Sequence, residues 1–255
     1  MQGSAPRSRF GRVIYAMTAA AALVAAGSAS AATSAQGRGY GLNLTASAGT
    51  VVGLTAPLGD TGNNQAPPDF SSYAPLVSAT AGVTALGLDI LRVNTGDIYG
   101  RTVSALSKNK VDSEAKVAGL DVGLVGLPLL GNRTTLLSLR ADTVTAEARF
   151  TCVSGTAQPF GKTSITGLST SGTLGALLNP AISALGSLLN VAPNTGLNVQ
   201  IPLVASVTLL LNEQTLSGSK LTVNGLRLGV NVLGAIFLLP AMAYFLKVGN
   251  KGEAA

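Results

Sequence analysis

Histidine and tryptophan are missing from the 255 residues, and cysteine occurs once, at Cys152. Without histidine no Ser-His or Cys-His nucleophile system can be assembled, and a catalytic zinc site built on imidazole is excluded. A single cysteine forms no internal disulfide. Cys152 is therefore either a reactive or intermolecularly paired thiol, or a small buried apolar residue. The second reading follows from its place at the end of an apolar row, where burial suppresses thiol chemistry. Aromatic residues make up 4% of the chain and charged residues 11%. So few rings, with a basic surplus spread thinly, give no footprint for nucleic acid. Neither a cofactor nor a metal is expected, and catalysis is not. If the chain were an enzyme, a glycosidase-type carboxylate pair such as Glu147 with Glu213 is the form it would take.

What the chain does have is 47% hydrophobic residues and 31 glycines. That composition suits a β-rich protein with a low-charge surface and not a disordered tail. Residues 1–31 read as an export signal: Arg7, Arg9 and Arg12, then an apolar core from Val13 to Ala26, then Ala29-Ser30-Ala31 as the small-residue cleavage site. Its removal lowers the net charge from +6 to +3, because three of the seventeen basic residues and none of the eleven acids lie there. The expected localisation is exported, in the cell envelope or the medium.

Residues 32–228 read as one β-rich domain. The clearest strand is Asp142 to Val153, with Val144, Ala146, Ala148, Phe150 and Cys152 on one face and Thr143, Thr145, Glu147, Arg149 and Thr151 on the other. Val111 to Leu120 alternates in the same way and turns Asp112, Glu114 and Lys116 outward, where solvated carboxylates are expected. Ala35 to Gly39 reads as a linker, Tyr40 to Ala46 as the first strand and Val51 to Leu54 as its partner. Pro57 to Pro75 reads as a long loop; Asp60, Asn63, Asn64 and Asp69 lie in it without the spacing of a calcium loop. Gly119 to Gly131 reads as a bend between sheets. One short helix is expected at about 180–190, with Asn179 as cap, Pro180 at the first helical position and Ile182, Leu185, Leu188 and Leu189 on its apolar side. The fold class is mainly β, an antiparallel sandwich-like domain with one helix; a β-solenoid is the alternative, although its Gly-Leu steps have no fixed period.

Two apolar runs, Ser206 to Leu211 and Leu221 to Val232, flank a polar stretch and predict a hairpin. Leu221 and Val223 share one parity and Leu226, Leu228, Val230 and Val232 the other. A bulge at Gly225 produces such a slip, and a tight Asn224-Gly225 turn is the competing reading. Residues 229–255 are an apolar segment with a polar tail. Leu228 to Leu246 is nineteen residues without a charge, long enough to span a bilayer and equally able to supply a strand pair broken at Pro240. Contact with the cell envelope or membrane through this segment is the expected partnership, and a bulge at Gly225 would leave it too short to span.

Three stretches carry a resemblance: "ADTVTAEARFTCVSG" with "SITGLSTSG" (Ala141 to Gly172), "APNTGLNVQIPLVASVTLLLNEQ" (Ala192 to Gln214) and "LTVNGLRL" (Leu221 to Leu228). In these the chain resembles the exported choice-of-anchor P proteins of actinobacteria. The family pattern singles out Cys152, Asn212, Glu213, Gln214 and Asn224. The resemblance implies a secreted or envelope-attached protein without assigned activity and transfers no catalytic residue. The chain departs from the pattern at its apolar end and carries no Leu-Pro-x-Thr-Gly sorting signal. A structural or adhesive role is expected, with a small-ligand or lipid-binding module, holding its ligand between sheet and helix, as the alternative.

Overall fold

The computed structural model describes residues 34–46, 50–52, 57–85, 88–125, 135–154, 156–185, 188–201, 205–232 and 242–254. Residues 1–31, read as an export signal with Ala29 and Ala31 at its cleavage site, lie outside the described residues. In chain order the strands are β1 (Ala35–Ala46), β2 (Thr50–Val52), β3 (Asn64–Ala66), β4 (Ser71–Leu76), β5 (Ala79–Ala85), β6 (Leu88–Thr95), β7 (Ile98–Ala105), β8 (Lys110–Val125), β9 (Thr135–Val153), β10 (Thr156–Thr166), β11 (Ser169–Ser171), β12 (Thr195–Ile201), β13 (Ala205–Ser217), β14 (Lys220–Val232) and β15 (Met242–Ala254). The helix α1 spans Gly172–Ala184. The strands form two antiparallel sheets, one of six strands in the order β12-β13-β14-β15-β1-β3 and one of nine running β10-β9-β8-β6-β5-β2, with β4, β7 and β11 paired alongside. The sheets pack face to face, as the alternating apolar residues require.

Each sheet is creased across its width. In the six-stranded sheet, β1 slips against β15 between Tyr40 and Asn43, and β14 slips against β15 between Asn224 and Leu226. The neighbouring Asn212 of β13 has φ +52°. The slip at Gly225 is therefore a bulge inside a continuous strand, and Leu221, Val223, Leu226 and Leu228 are all buried despite their opposite parities. In the nine-stranded sheet the crease passes through Gly119, whose φ is +58°. Val111, Ala115 and Val117 are buried before it and Leu120, Val122 and Leu124 after it. On one side of β8 the pairing passes from β7 to β6 at this point, and on the far side of β9 it passes from β10 to β11. Over Gly119 to Val125 the expected bend is thus a phase change within β8, because a left-handed glycine adds a residue to a strand without ending it; residues 126–131 of that expectation lie outside the described residues.

Beside the crease the sheets meet backbone to backbone. A Cβ on Gly100 would lie 2.2 Å from the carbonyl oxygen of Gly59 and 2.3 Å from that of Gly39. A Cβ on Gly39 would lie 2.6 Å from the carbonyl oxygen of Glu114. No side chain fits there, so β1 lies closer to β7 and β8 than the ~10 Å of a side-chain-filled sandwich. Gly37 adjoins the buried hydroxyl pair Thr102–Ser113, 2.8 Å apart. The remaining core divides into a large cluster around Leu42, Val117, Val144, Leu209 and Leu226 and a small one around Val111, Phe150, Leu221 and Val223.

Several local expectations are corrected. Ala35 to Gly39 belongs to β1 and is no linker, and β2 pairs with β5, not with β1. The segment read as a loop over residues 57–75 contains β3 and most of β4, held by distant partners on β1 and β7. The helix begins at Gly172, not at Pro180. Its buried stripe is Gly175, Leu178 and Ile182, while Asn179 and Pro180 are exposed. The carbonyl that Pro180 leaves unpaired belongs to exposed Ala176, where water can satisfy it. Asn179 accepts a hydrogen bond from Thr170 Oγ1 at 2.6 Å instead of capping.

The C-terminal run completes the sheet. β14 and β15 pair from Lys220 with Glu253 to Val232 with Met242, and β15 lies between β14 and β1. Pro240 lies outside the described residues. Among the described residues no helix is long and apolar enough to cross a membrane.

Candidate functional site

Strands β4, β7, β8, β9 and β10 put their outward side chains in register. One row runs Tyr73, Arg101, Glu114, Glu147, Lys162, and the adjacent row runs Ser71, Val103, Asp112, Arg149, Phe160. Between them lies a pocket of about 210 Å³ lined by Arg101, Val103, Asp112, Glu114, Glu147 and Arg149. The floor is stiff, because the backbone of Arg101 and Glu114 is where Gly39 presses from behind. Outward alternation in β8 and β9 is therefore as expected. The stacking of those side chains into two rows is what the strand register adds.

Arg149 organises one half of the pocket. Its Nε donates to Asp112 Oδ1 at 2.6 Å and its Nη2 to Glu147 Oε1, and its guanidinium lies 5.5 Å from the Phe160 ring centre. The hydrogen bond to Asp112 keeps Arg149 more firmly charged than an isolated arginine. Lys110 also pairs with Asp112. In the other half Tyr99 donates from its hydroxyl to Glu114 Oε1 at 2.6 Å, and the Tyr73 and Tyr99 rings sit 5.5 Å apart. Burial and the bond to Glu114 hold the Tyr99 phenol above its ordinary range. Glu114 and Glu147 oppose each other directly across β8 and β9.

A second polar cluster occupies the crease of the six-stranded sheet. On its inner side Asn212, 1% exposed, donates from Nδ2 to the Val191 carbonyl at 2.6 Å. Its Oδ1 accepts from Thr163 Oγ1 at 3.0 Å and from Gln214 Nε2 at 2.9 Å. On the outer side Glu213 accepts from Asn224 Nδ2 at 2.6 Å and from Arg227 Nη1 at 2.7 Å. Asn224 Oδ1 is buried without a hydrogen-bond partner among the described residues. Nearby, Arg38 pairs through both Nε and Nη2 with Asp60. Burial alone would raise the Asp60 carboxyl, but its bonds from Arg38 and from the Gly62 N–H bring it below the usual range. Burial pushes the Tyr40 phenol up to about 12, and the negative charges of Asp60 and Glu213 add to it.

Four of the five residues marked by the family pattern thus meet at one crease. Asn212 to Gln214 lie in β13, not in the polar stretch expected between the strands, and Asn224 lies in β14 directly opposite Glu213. The turn itself is Gly218-Ser219. Cys152 lies apart. The buried row of β9 ends at Phe150, and Cys152 is a half-buried free thiol whose N–H donates to the Asn109 carbonyl. Glu147 and Glu213 do not form a pair: they stand on different sheets and on opposite outer faces. Asp60, Asn64 and Asp69 each bond to protein groups, Asp69 to Ser104 and the Leu106 N–H. Among the described residues no group of three carboxylate, cysteine or histidine side chains could hold a metal ion.

Sequence reasoning missed Tyr73, Tyr99, Arg101 and Phe160 as neighbours of the carboxylates. The Tyr99-x-Arg101 alternation was the available signal, but Tyr73 and Phe160 needed the register of β4 and β10. No family model matches the chain, and no curated protein or solved structure matches it either.

Proposed function

We propose that this is an exported cell-envelope or secreted β-protein with a structural or adhesive role, and that it works through the outer face of the nine-stranded sheet. The observation that carries this reading is that face: five strands in register, stiffened by glycine contact behind, presenting paired charges and exposed rings on a broad surface. The signal-like residues 1–31 and the resemblance to choice-of-anchor P proteins support export. The filled space under α1 favours adhesion over lipid binding, since Leu178, Ile182 and Val191 are buried there with Leu185 and Leu188 packed against them. The separation of Glu147 from Glu213 favours it over glycoside hydrolysis by that pair. The described part of the C-terminal run lies in the sheet, in β14 and β15, which favours attachment through the surface of the sandwich.

Cell fractionation with intact-mass measurement tests the reading. Protein cleaved near Ala31 in the wall, membrane or medium fraction is the expected result. Full-length protein in the cytoplasm with Met1 intact overturns it.

A further inference from the structure

We infer that the face between Tyr73 and Phe160 binds a neutral polysaccharide, an inference that rests on the adhesive reading and names its ligand class. A sugar ring has an apolar C–H face and a rim of hydroxyls, so its receptor needs flat rings beside paired donors and acceptors. This face has both. Tyr73 is 61% exposed and Phe160 46% exposed, and five adjacent strands separate them by roughly four interstrand spacings, ~19 Å in all. That length accommodates several sugar units along one line. Between the rings, Arg101 offers a forked donor, and Glu114 and Glu147, each bonded through Oε1, offer Oε2 as acceptors for neighbouring hydroxyls.

Charge balance selects a neutral ligand. Two guanidiniums and three carboxylates line the pocket, Lys110 pairs with Asp112 and Lys162 stands opposite Glu147, so charges of both signs are interleaved and most are already bonded to one another; a polyanion would meet Glu114 and Glu147 and a polycation would meet Arg101 and Arg149. Hydroxyl groups bind without displacing these pairs. Arg149 held by Asp112 and Glu147, and Glu114 held by Tyr99, are already oriented, which reduces the ordering cost on binding.

The test is native affinity electrophoresis of the full chain in gels containing hydroxyethyl cellulose, mixed-linkage β-glucan, galactomannan, α-mannan or dextran, with dextran sulfate as the charged comparison and pull-down on insoluble chitin and cellulose. The expected result is retention by at least one neutral glycan, unchanged by added sodium chloride. Binding should weaken by about tenfold or more in Tyr73→Ala/Phe160→Ala, as the loss of stacked rings implies. Glu147→Gln, which keeps the size of the side chain, should weaken it severalfold, so the inference stays testable if the double variant melts early. No retention by any neutral glycan, retention by dextran sulfate alone, or equal retention of both variants overturns the inference. Exported protein without glycan binding refutes the ligand while leaving the adhesive reading; cytoplasmic protein refutes the adhesive reading whatever it binds.

Discussion

The two polar clusters use the same kinds of side chain to opposite ends. On the nine-stranded sheet, Asp112, Glu147 and Arg149 are about one-third exposed and share partners, so each charge has an alternative in water or in a neighbour. At the crease of the six-stranded sheet, Asn212 is buried and satisfies Thr163, Gln214 and Val191 together. Removing a group there strands its partners away from water, which costs far more than the net value of the bonds. Burial thus separates polar residues that hold the fold from those free to face a ligand, although both sets lie on strands of similar composition.

The sharpest way to break this contrast is to disturb the contact on which the exposed face rests. Gly100→Ala places a methyl group against two carbonyl oxygens that cannot move independently; we expect a loss of about 3 kcal/mol in urea unfolding, or no cooperative transition. A change under 1 kcal/mol would mean that the sheets are not in contact there. Next is Asn212→Ala, with an expected loss of about 2 kcal/mol from unpaired buried groups, measured the same way. Were it as mild as a surface change, the buried knot would not differ from the exposed rows.

Alkali provides the third test. The folded Tyr40 phenol, raised by burial to about 12, lies above its unfolded value of about 10. Its contribution is therefore complete below pH 10 and is lost as pH rises through about 12. Tyr40→Phe should flatten that decline, leaving the part that comes from Tyr99, and absorbance titration of tyrosinate should show one fewer late-ionising phenol. The smallest effect belongs to Glu147→Gln, where the one-third-exposed pair with Arg149 is worth less than about 1 kcal/mol. Thermal melting should barely register it; a loss as large as that of Asn212→Ala would erase the distinction between the clusters.

Parity along single strands was legible because it depends on near neighbours. The slip at Gly225 was visible in the change from Leu221 and Val223 to Leu226 and Leu228. The same slip stands at Gly119, between Val117 and Leu120, yet the surrounding glycine and leucine suggested a bend. A left-handed glycine serves both purposes, and only its partner strands decide. The segment around residues 57–75 read as a loop for a related reason: proline and asparagine disfavour strands locally, but Gln36 and Arg101 supply pairing from far along the chain. Likewise Pro180 suggested a helix start, and what overrode it was the exposure of its side of α1. For the candidate site, alternation placed Glu114 and Glu147 outward, but their opposition, and the nearness of Tyr73 and Phe160, depend on register between strands. Register is a property of pairs and is only partly written in either member.

One pairing bears on the order of events. Among the described residues β15 bridges β1 on one side and β14 on the other, and nearly the whole described chain lies between β1 and β15 in sequence. Such a remote contact must wait for a long loop to close, which slows its formation relative to local hairpins such as β13-β14. A chain emerging from its amino end therefore exposes β1 as an unfinished edge until Met242–Ala254 follows. The six-stranded sheet closes last, like a clasp, and until then β1 is held by β3 and by its glycine contact with β7 and β8.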